Sequence, residues 1–350
     1  MRTRVKAINT WISFILILAV FPFASCSSDS DDEDKKPVTE EGFLEDAIYL
    51  QVTDEEQPAW LQSQIAESPY LRVFRSEKGD GTFLRQAPLK GNEFSVFDKN
   101  GKEMPVSTEE QLQQIIKGEH PWTLIHIYSF PLKPGDTEWD FSRYTVAEIK
   151  EKLQLPDVLL RSMMTYDLIE TCLDYPYFMD FFFSDEMQYG VEFERMEFNG
   201  LDELLKREGL AKAMLKKYEI KMQTAEVMKT QEPLVIGAYS NRFLFFKMLL
   251  AQDEVLNQMN HTQLRQLIKL SMKADEMVAR LPDLYGTIHY LPTRFLYSRI
   301  IVREGGFNYS NDEEKSKLAY FAQTCTTNPD IIAIFTPDMQ QRIYSYLMTF

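Results

Sequence analysis

Four histidines, two pairs of carboxylates and a set of aromatic rings are the side chains whose types suit chemistry in this chain. His120, His126, His261 and His289 are scattered, with no His-Glu-x-x-His and no histidine–cysteine grouping. The ligand set of a zinc site is therefore not spelled out. No Gly-x-Ser-x-Gly elbow, Walker loop or dinucleotide glycine loop occurs either. Glu138/Asp140 and Glu192/Glu194 have the residue types of a glycosidase acid and base. That chemistry depends on the separation of the carboxylates in space, which spacing in sequence does not set, and 53 acidic residues make such pairs common. Trp139, Tyr175 and Tyr177 remain. Flat neutral sugar faces stack on aromatic rings, so these three are candidate ligand contacts if exposed and core filling if buried. The expectation is a non-enzyme with no catalytic residue, no metal and no cofactor.

Chemistry of another kind is written at Cys26. Basic Arg2, Arg4 and Lys6 lead into an apolar run from Trp11 to Phe23, then small Ala24 and Ser25, then the cysteine. That order marks an export signal, because the apolar run is too short to cross a bilayer. Phe23-Ala24-Ser25-Cys26 resembles a lipobox. The resemblance implies a signal peptide over residues 1–25, cleavage before Cys26, and a lipid on that residue. One acyl chain holds a protein only marginally, at roughly 0.8 kcal/mol per buried methylene, whereas two or more anchor it lastingly. Residues 26–42 then form an acidic leash, Ser27-Ser-Asp-Ser-Asp-Asp-Glu-Asp34, with too little apolar surface to order itself. An acidic run beside a lipidated cysteine also resembles the surface-export signal of Bacteroidota lipoproteins, which implies the outer membrane, facing the exterior; a plain spacer is the alternative.

Removing residues 1–25 takes three of the 38 basic residues and no acidic one, leaving a formal charge of −18. Such a charge repels phosphate and argues against nucleic acid and against docking on anionic lipid. The charge also argues against acidic partners in general, and leaves neutral glycans, cations and basic protein surfaces open. Only Cys172 and Cys325 are left after lipidation; both sit at apolar helical positions and read as buried thiols.

Residues 43–130 read as a small α+β domain with an antiparallel sheet. Pro58 to Ala66 suits a short helix, and Leu71–Arg75, Thr82–Arg85, Phe94–Phe97 and Thr123–Tyr128 suit strands. Asp98-Lys-Asn-Gly101 is a turn, since Asn-Gly supplies the positive φ of a tight hairpin. Residues 131–144 form a connector rich in Pro, Gly and Asp. Residues 145–350 read as a larger all-α array or bundle, so the fold class is α+β overall. Ser107–Glu110, Thr145–Glu148 and Ser310–Glu313 are capping boxes, Thr336-Pro337 is a further helix start, and His261 to about Leu281 is amphipathic. Asn199, before Gly200, reads as a helix N-cap.

Leu168-Ile-Glu-Thr-Cys-Leu-Asp-Tyr-Pro-Tyr-Phe-Met, Phe198-Asn-Gly-Leu-Asp-Glu-Leu-Leu-Lys-Arg and Leu249-Leu-Ala-Gln-Asp-Glu resemble segments of a set of uncharacterised Bacteroidota surface lipoproteins. The resemblance covers roughly residues 145–282. It implies an all-α domain and a surface address, and no activity. Two functions follow as expectations. The first is a non-enzymatic outer-membrane component that binds a protein partner. The second is a polysaccharide-binding accessory lipoprotein for nutrient capture, with a hydrolase lacking a readable motif as a remote third.

Overall fold

The computed structural model describes residues 47–50, 57–78, 81–90, 93–119, 121–137, 139–228, 233–282 and 284–350. Cys26, the acidic leash, His120 and Glu138 lie outside the described residues. Within them, strands β1 (Ile48–Tyr49), β2 (Tyr70–Ser76), β3 (Phe83–Ala87), β4 (Glu93–Phe97), β5 (Glu103–Met104) and β6 (Trp122–Tyr128) form one sheet in the order β1-β6-β2-β3-β4-β5. Every neighbouring pair is antiparallel except β1 with β6, which run parallel. The expected antiparallel sheet thus gains one parallel edge, built by a strand of two residues.

β2 is buried along nearly its whole length because both faces of the sheet are covered. On one face Leu71, Val73, Phe83 and Phe97 pack with Leu61, Trp60 and Ile65 of α1 (Ala59–Glu67). The Asp98–Gly101 turn closes this side. Gly101 has φ +78°, and a Cβ there would lie 2.4 Å from the Trp60 ring, so the turn needs glycine twice over. The other face turns Tyr70, Phe74, Leu84 and Val96 into a core shared with the helices that follow.

Those helices are α2 (Glu109–Gly118), within the sheet region, then α3 (Val146–Lys152), α4 (Asp157–Ser162), α5 (Thr165–Leu173), α6 (Met187–Glu197), α7 (Asn199–Lys206) and α8 (Leu210–Met228). The chain continues through α9 (Pro233–Leu250), α10 (Asp253–Leu256), α11 (His261–Arg280), α12 (Tyr290–Glu304), α13 (Asp312–Thr324), α14 (Pro329–Ile332) and α15 (Pro337–Leu347). A 3-10 helix, Phe178–Phe183, precedes α6. The architecture is α+β, a small mixed sheet followed by a larger helical array. One continuous core runs from Ala47 through Phe130 and Leu132, at the start of the Pro- and Gly-rich stretch, to Leu347.

Local chemistry sets the helix starts. Thr145 and Glu148 form the reciprocal capping box, and Thr336 accepts from Met339 N with Pro337 in the first turn. At α2 and α13 the cap falls one residue later than expected, on Thr108 and Asn311, with Ser107 N and Ser310 N donating to Gln111 and Glu314. Asn260 and Gln263 cap α11 in the same reciprocal way.

Asn199 is not a cap. It is the first residue of α7, and its side chain clamps a neighbouring backbone: Oδ1 accepts from Leu155 N at 2.9 Å and Nδ2 donates to Leu155 O at 2.8 Å. Its own N–H donates to Gln154 Oε1 at 2.9 Å. The geometry follows because an amide carries one donor and one acceptor end matched to a peptide group. Asn199→Ala leaves both Leu155 groups unpaired, and is expected to cost about 2–3 kcal/mol, beyond the ~1 kcal/mol typical of a lost cap. The urea midpoint measures it; a loss of 1 kcal/mol or less would contradict the clamp.

Candidate functional site

Two places collect polar side chains between these elements, and Tyr175 belongs to both. The first lies where α6 crosses the 3-10 helix. Gly190 permits that crossing, since a Cβ on it would sit 2.4 Å from the Phe181 carbonyl oxygen. Glu194, one turn further along, shares the inward face of α6 and is 1% exposed. Neither of its oxygens has a hydrogen-bond partner among the described residues, nor has the hydroxyl of Tyr175 or of Tyr177. Buried Lys150 stands nearby, its Nζ 3.6 Å from Asp180, 3.8 Å from Glu197 and 5.0 Å from the centre of the Tyr177 ring. Burial pushes the Glu194 carboxyl up to about 7; Lys150 opposes this, while Asp180 and Glu197 add to it.

The aromatic candidates separate here. Tyr175 is 2% exposed and stacks on Phe198 with ring centres 4.1 Å apart, so it fills the core and offers no face to solvent. Trp139 and Tyr177 are half-buried and stack on each other at 5.2 Å. The carboxylate pair Glu192/Glu194 is split: Glu192 is exposed, and Glu194 points inward. Asp140 accepts from Ser142 N in a turn.

The second place is a cavity of 630 Å³ between the β1/β6 edge of the sheet and helices α5, α8 and α9. Its floor is made of ion pairs. Glu170 of α5 is 2% exposed and meets two buried lysines of α8, Lys217 at 3.2 Å and Lys221 at 2.9 Å. One turn along α5 and just beyond its end, Asp174 pairs with Arg242 of α9 at 2.9 Å and accepts a short hydrogen bond from Tyr49 of β1. Burial alone would raise the Glu170 carboxyl, but Lys221 and Lys217 outweigh it and hold the group below its ordinary value. Asp174 goes the other way: burial raises it and outweighs Arg242 and the Tyr49 hydrogen bond. Tyr128 and Phe178 supply partly exposed rings to the walls, with Phe130, Tyr175 and Tyr239 buried behind them, and Arg75 and Lys133 add further cations.

Of the histidines, His126 lines this cavity. His289 lies elsewhere, its Nε2 2.8 Å from Ser240 Oγ. That pairing is not an exposed nucleophile: both residues are buried, Ser240 also bonds the Leu284 carbonyl at 2.9 Å, and burial together with Lys247 pushes the imidazole down to about 3. Cys172 and Cys325 are free, buried thiols that burial pushes up, consistent with inert packing. Among the described residues no group of three or more His, Cys, Asp or Glu is placed to hold a metal ion, and no helix is long and apolar enough to cross a membrane.

Sequence reasoning missed the floor of the cavity. Its signal was present: Glu170 and Asp174, like Lys217 and Lys221, are spaced by four, which puts each pair on one face of its helix amid apolar neighbours. No protein-family model, curated protein or solved structure matches this chain.

Proposed function

We propose that the protein is a lipid-anchored outer-membrane protein, tethered through Cys26 and facing outward, that binds a saccharide in the cavity beside the sheet edge. The observation that supports this most is the cavity itself. At 630 Å³ it falls in the range of small-molecule sites, and it combines aromatic walls with a few fixed polar groups, the lining such sites use. The ion pairs of the floor are already satisfied within the protein, so they orient a ligand rather than react with it. The stacked but half-covered Trp139 and Tyr177 are less suited, because each ring already gives one face to the other.

A protein-binding role is the second reading, favoured by a separate observation. Tyr189, Phe193 and Met196 stand exposed at helical spacing along α6, with Phe183 beside them at 87% exposure. A panel of oligosaccharides and polysaccharides, titrated against the full lipid-anchored chain in detergent, tests the first reading. Saturable binding of an oligosaccharide is expected. Binding of none would leave the α6 stripe as the better lead.

A further inference from the structure

We propose that the buried sulfurs of Cys325, Met187 and Met248 form a binding site for a soft monovalent cation, Cu(I). The inference is independent of the saccharide reading. Cys325 ends α13, Met187 opens α6 and Met248 lies on α9. All three residues are at most 1% exposed. The Cys325 Sγ is 3.9 Å from the Met187 Sδ and 3.8 Å from the Met248 Sδ. The Leu291 carbonyl oxygen is 3.9 Å from the same Sγ, too far for a strong hydrogen bond. Three sulfurs bonded to one ion in a plane at about 2.3 Å, a usual metal–sulfur length, stand about 4.0 Å apart. Two edges of that triangle are therefore in place, and the rotatable methionine side chains can set the third.

The frame around the sulfurs is fixed by backbone. Met187 N donates to Cys325 O at 3.4 Å, Thr327 N donates to Asp185 O at 2.8 Å, and Glu186 and Thr326 form an isolated antiparallel bridge. The start of α6 and the end of α13 thus hold two of the ligands in one geometry. Cys325 is also the one non-glycine residue with a left-handed backbone among the described residues, φ +48°, at a helix end where glycine is the ordinary choice. Charge selects the ion. Cu(I) displaces the thiol proton to water as the copper–sulfur bond forms, and thiolate and ion then cancel beside two neutral thioethers. A divalent ion would leave a net positive charge in apolar surroundings, which burial penalises. Thiolate and thioether are soft ligands, the kind that suits Cu(I). A polar cavity of 380 Å³, lined by Gln188, Gln252 and Arg299 among others, gives the ion its way in. Gln188 follows Met187 in the chain, and Gln252 Nε2 donates to the Met248 carbonyl at 2.8 Å. Burial pushes the Cys325 thiol up, and Arg299 opposes that rise. The cavity therefore reaches the surroundings of all three sulfurs.

The test titrates the full chain in detergent, without oxygen, against Cu(I) held by bicinchoninate as a competing chelator. One ion per chain is expected to leave the chelator, and X-ray absorption at the copper edge should show three sulfurs at about 2.3 Å. Met187→Leu and Met248→Leu, which keep the side-chain volume and so the fold, should each weaken binding at least tenfold. Cys325→Ser should abolish it, and Cys172→Ser, at the other buried thiol, should leave it unchanged. Cu(I) should raise the unfolding temperature of the parent, and Zn(II) should not. No transfer from the chelator, or transfer unaffected by both leucine variants, would overturn the site and leave the three sulfurs as core filling. Transfer lost in Cys172→Ser and kept in Cys325→Ser would overturn it too, and equal stabilisation by Zn(II) would overturn the assignment to a monovalent ion.

Discussion

Glu170→Ala is expected to destabilise the protein by about 3–5 kcal/mol, the usual cost of removing one partner from a buried ion pair. Two buried ammonium groups, Lys217 and Lys221, would lose the carboxylate they share at 3.2 and 2.9 Å. Burial already pushes Lys221 down, with Glu170 the main opposing influence, so the variant leaves an ammonium with little to hold its proton. Stability of the variant should recover in part when both lysines become methionine, since an apolar replacement of a whole buried ionic group is often neutral or better. In the unchanged protein Glu170 has the opposite pH signature to a buried neutral acid. Its folded value lies below its ordinary one of 4.5, so the stability it contributes is present above that value and is lost as pH falls through the lowered one. Urea unfolding at pH 7 reads the first effect, and a loss under 1 kcal/mol would mean the lysines find other partners.

Glu194→Gln should do the reverse, and only at high pH. Below about pH 4.5 the Glu194 carboxyl carries its proton whether the chain is folded or not. Between there and about 7 the unfolded chain gives up the proton while the folded chain keeps it, so stability declines as pH rises. Above 7 the folded protein ionises a carboxyl that has no hydrogen-bond partner among the described residues, and the full penalty stands at roughly 3 kcal/mol, at about 1.36 kcal/mol for each pH unit between 4.5 and about 7. Glutamine removes the ionisation. The variant is expected to match the parent near pH 4 and to exceed it by up to about 3 kcal/mol at pH 8. Groups facing Glu194 (Lys150, Asp180, Glu197 and Tyr175) stay in place for this comparison. A variant less stable than the parent at pH 8 would show instead that Lys150 depends on the Glu194 charge.

The contrast between these two glutamates shows what sequence could and could not convey. Alternation in Leu71–Arg75, the short strand Phe94–Phe97, the Asn100-Gly101 turn, the Thr145 capping box and the amphipathic run from His261 all depend on neighbours a few residues away, and all are found in the structure. β1 has no such local mark. It consists of Ile48 and Tyr49, and exists because β6 offers a parallel edge. Asn199 looked like a cap because its local context is that of one, but its partner is the backbone of Leu155. Tyr175 and Tyr177 are two residues apart and identical in type, yet packing on Phe198 buries one and leaves the other half-covered. The cavity floor needed α5, α8 and α9 to meet before the i, i+4 charges on separate helices found each other.

Ala238→Trp tests most directly whether ligand sits in the cavity between the sheet edge and α5, α8 and α9. Ala238 is exposed on α9 and lines the cavity, so an indole there obstructs the space without disturbing the core. With the tightest-binding oligosaccharide of the panel, affinity is expected to fall at least tenfold while the unfolding temperature stays within a degree or two of the parent. Unchanged affinity in Ala238→Trp, with loss instead on Phe193→Ala, would contradict the account and move the binding surface to α6.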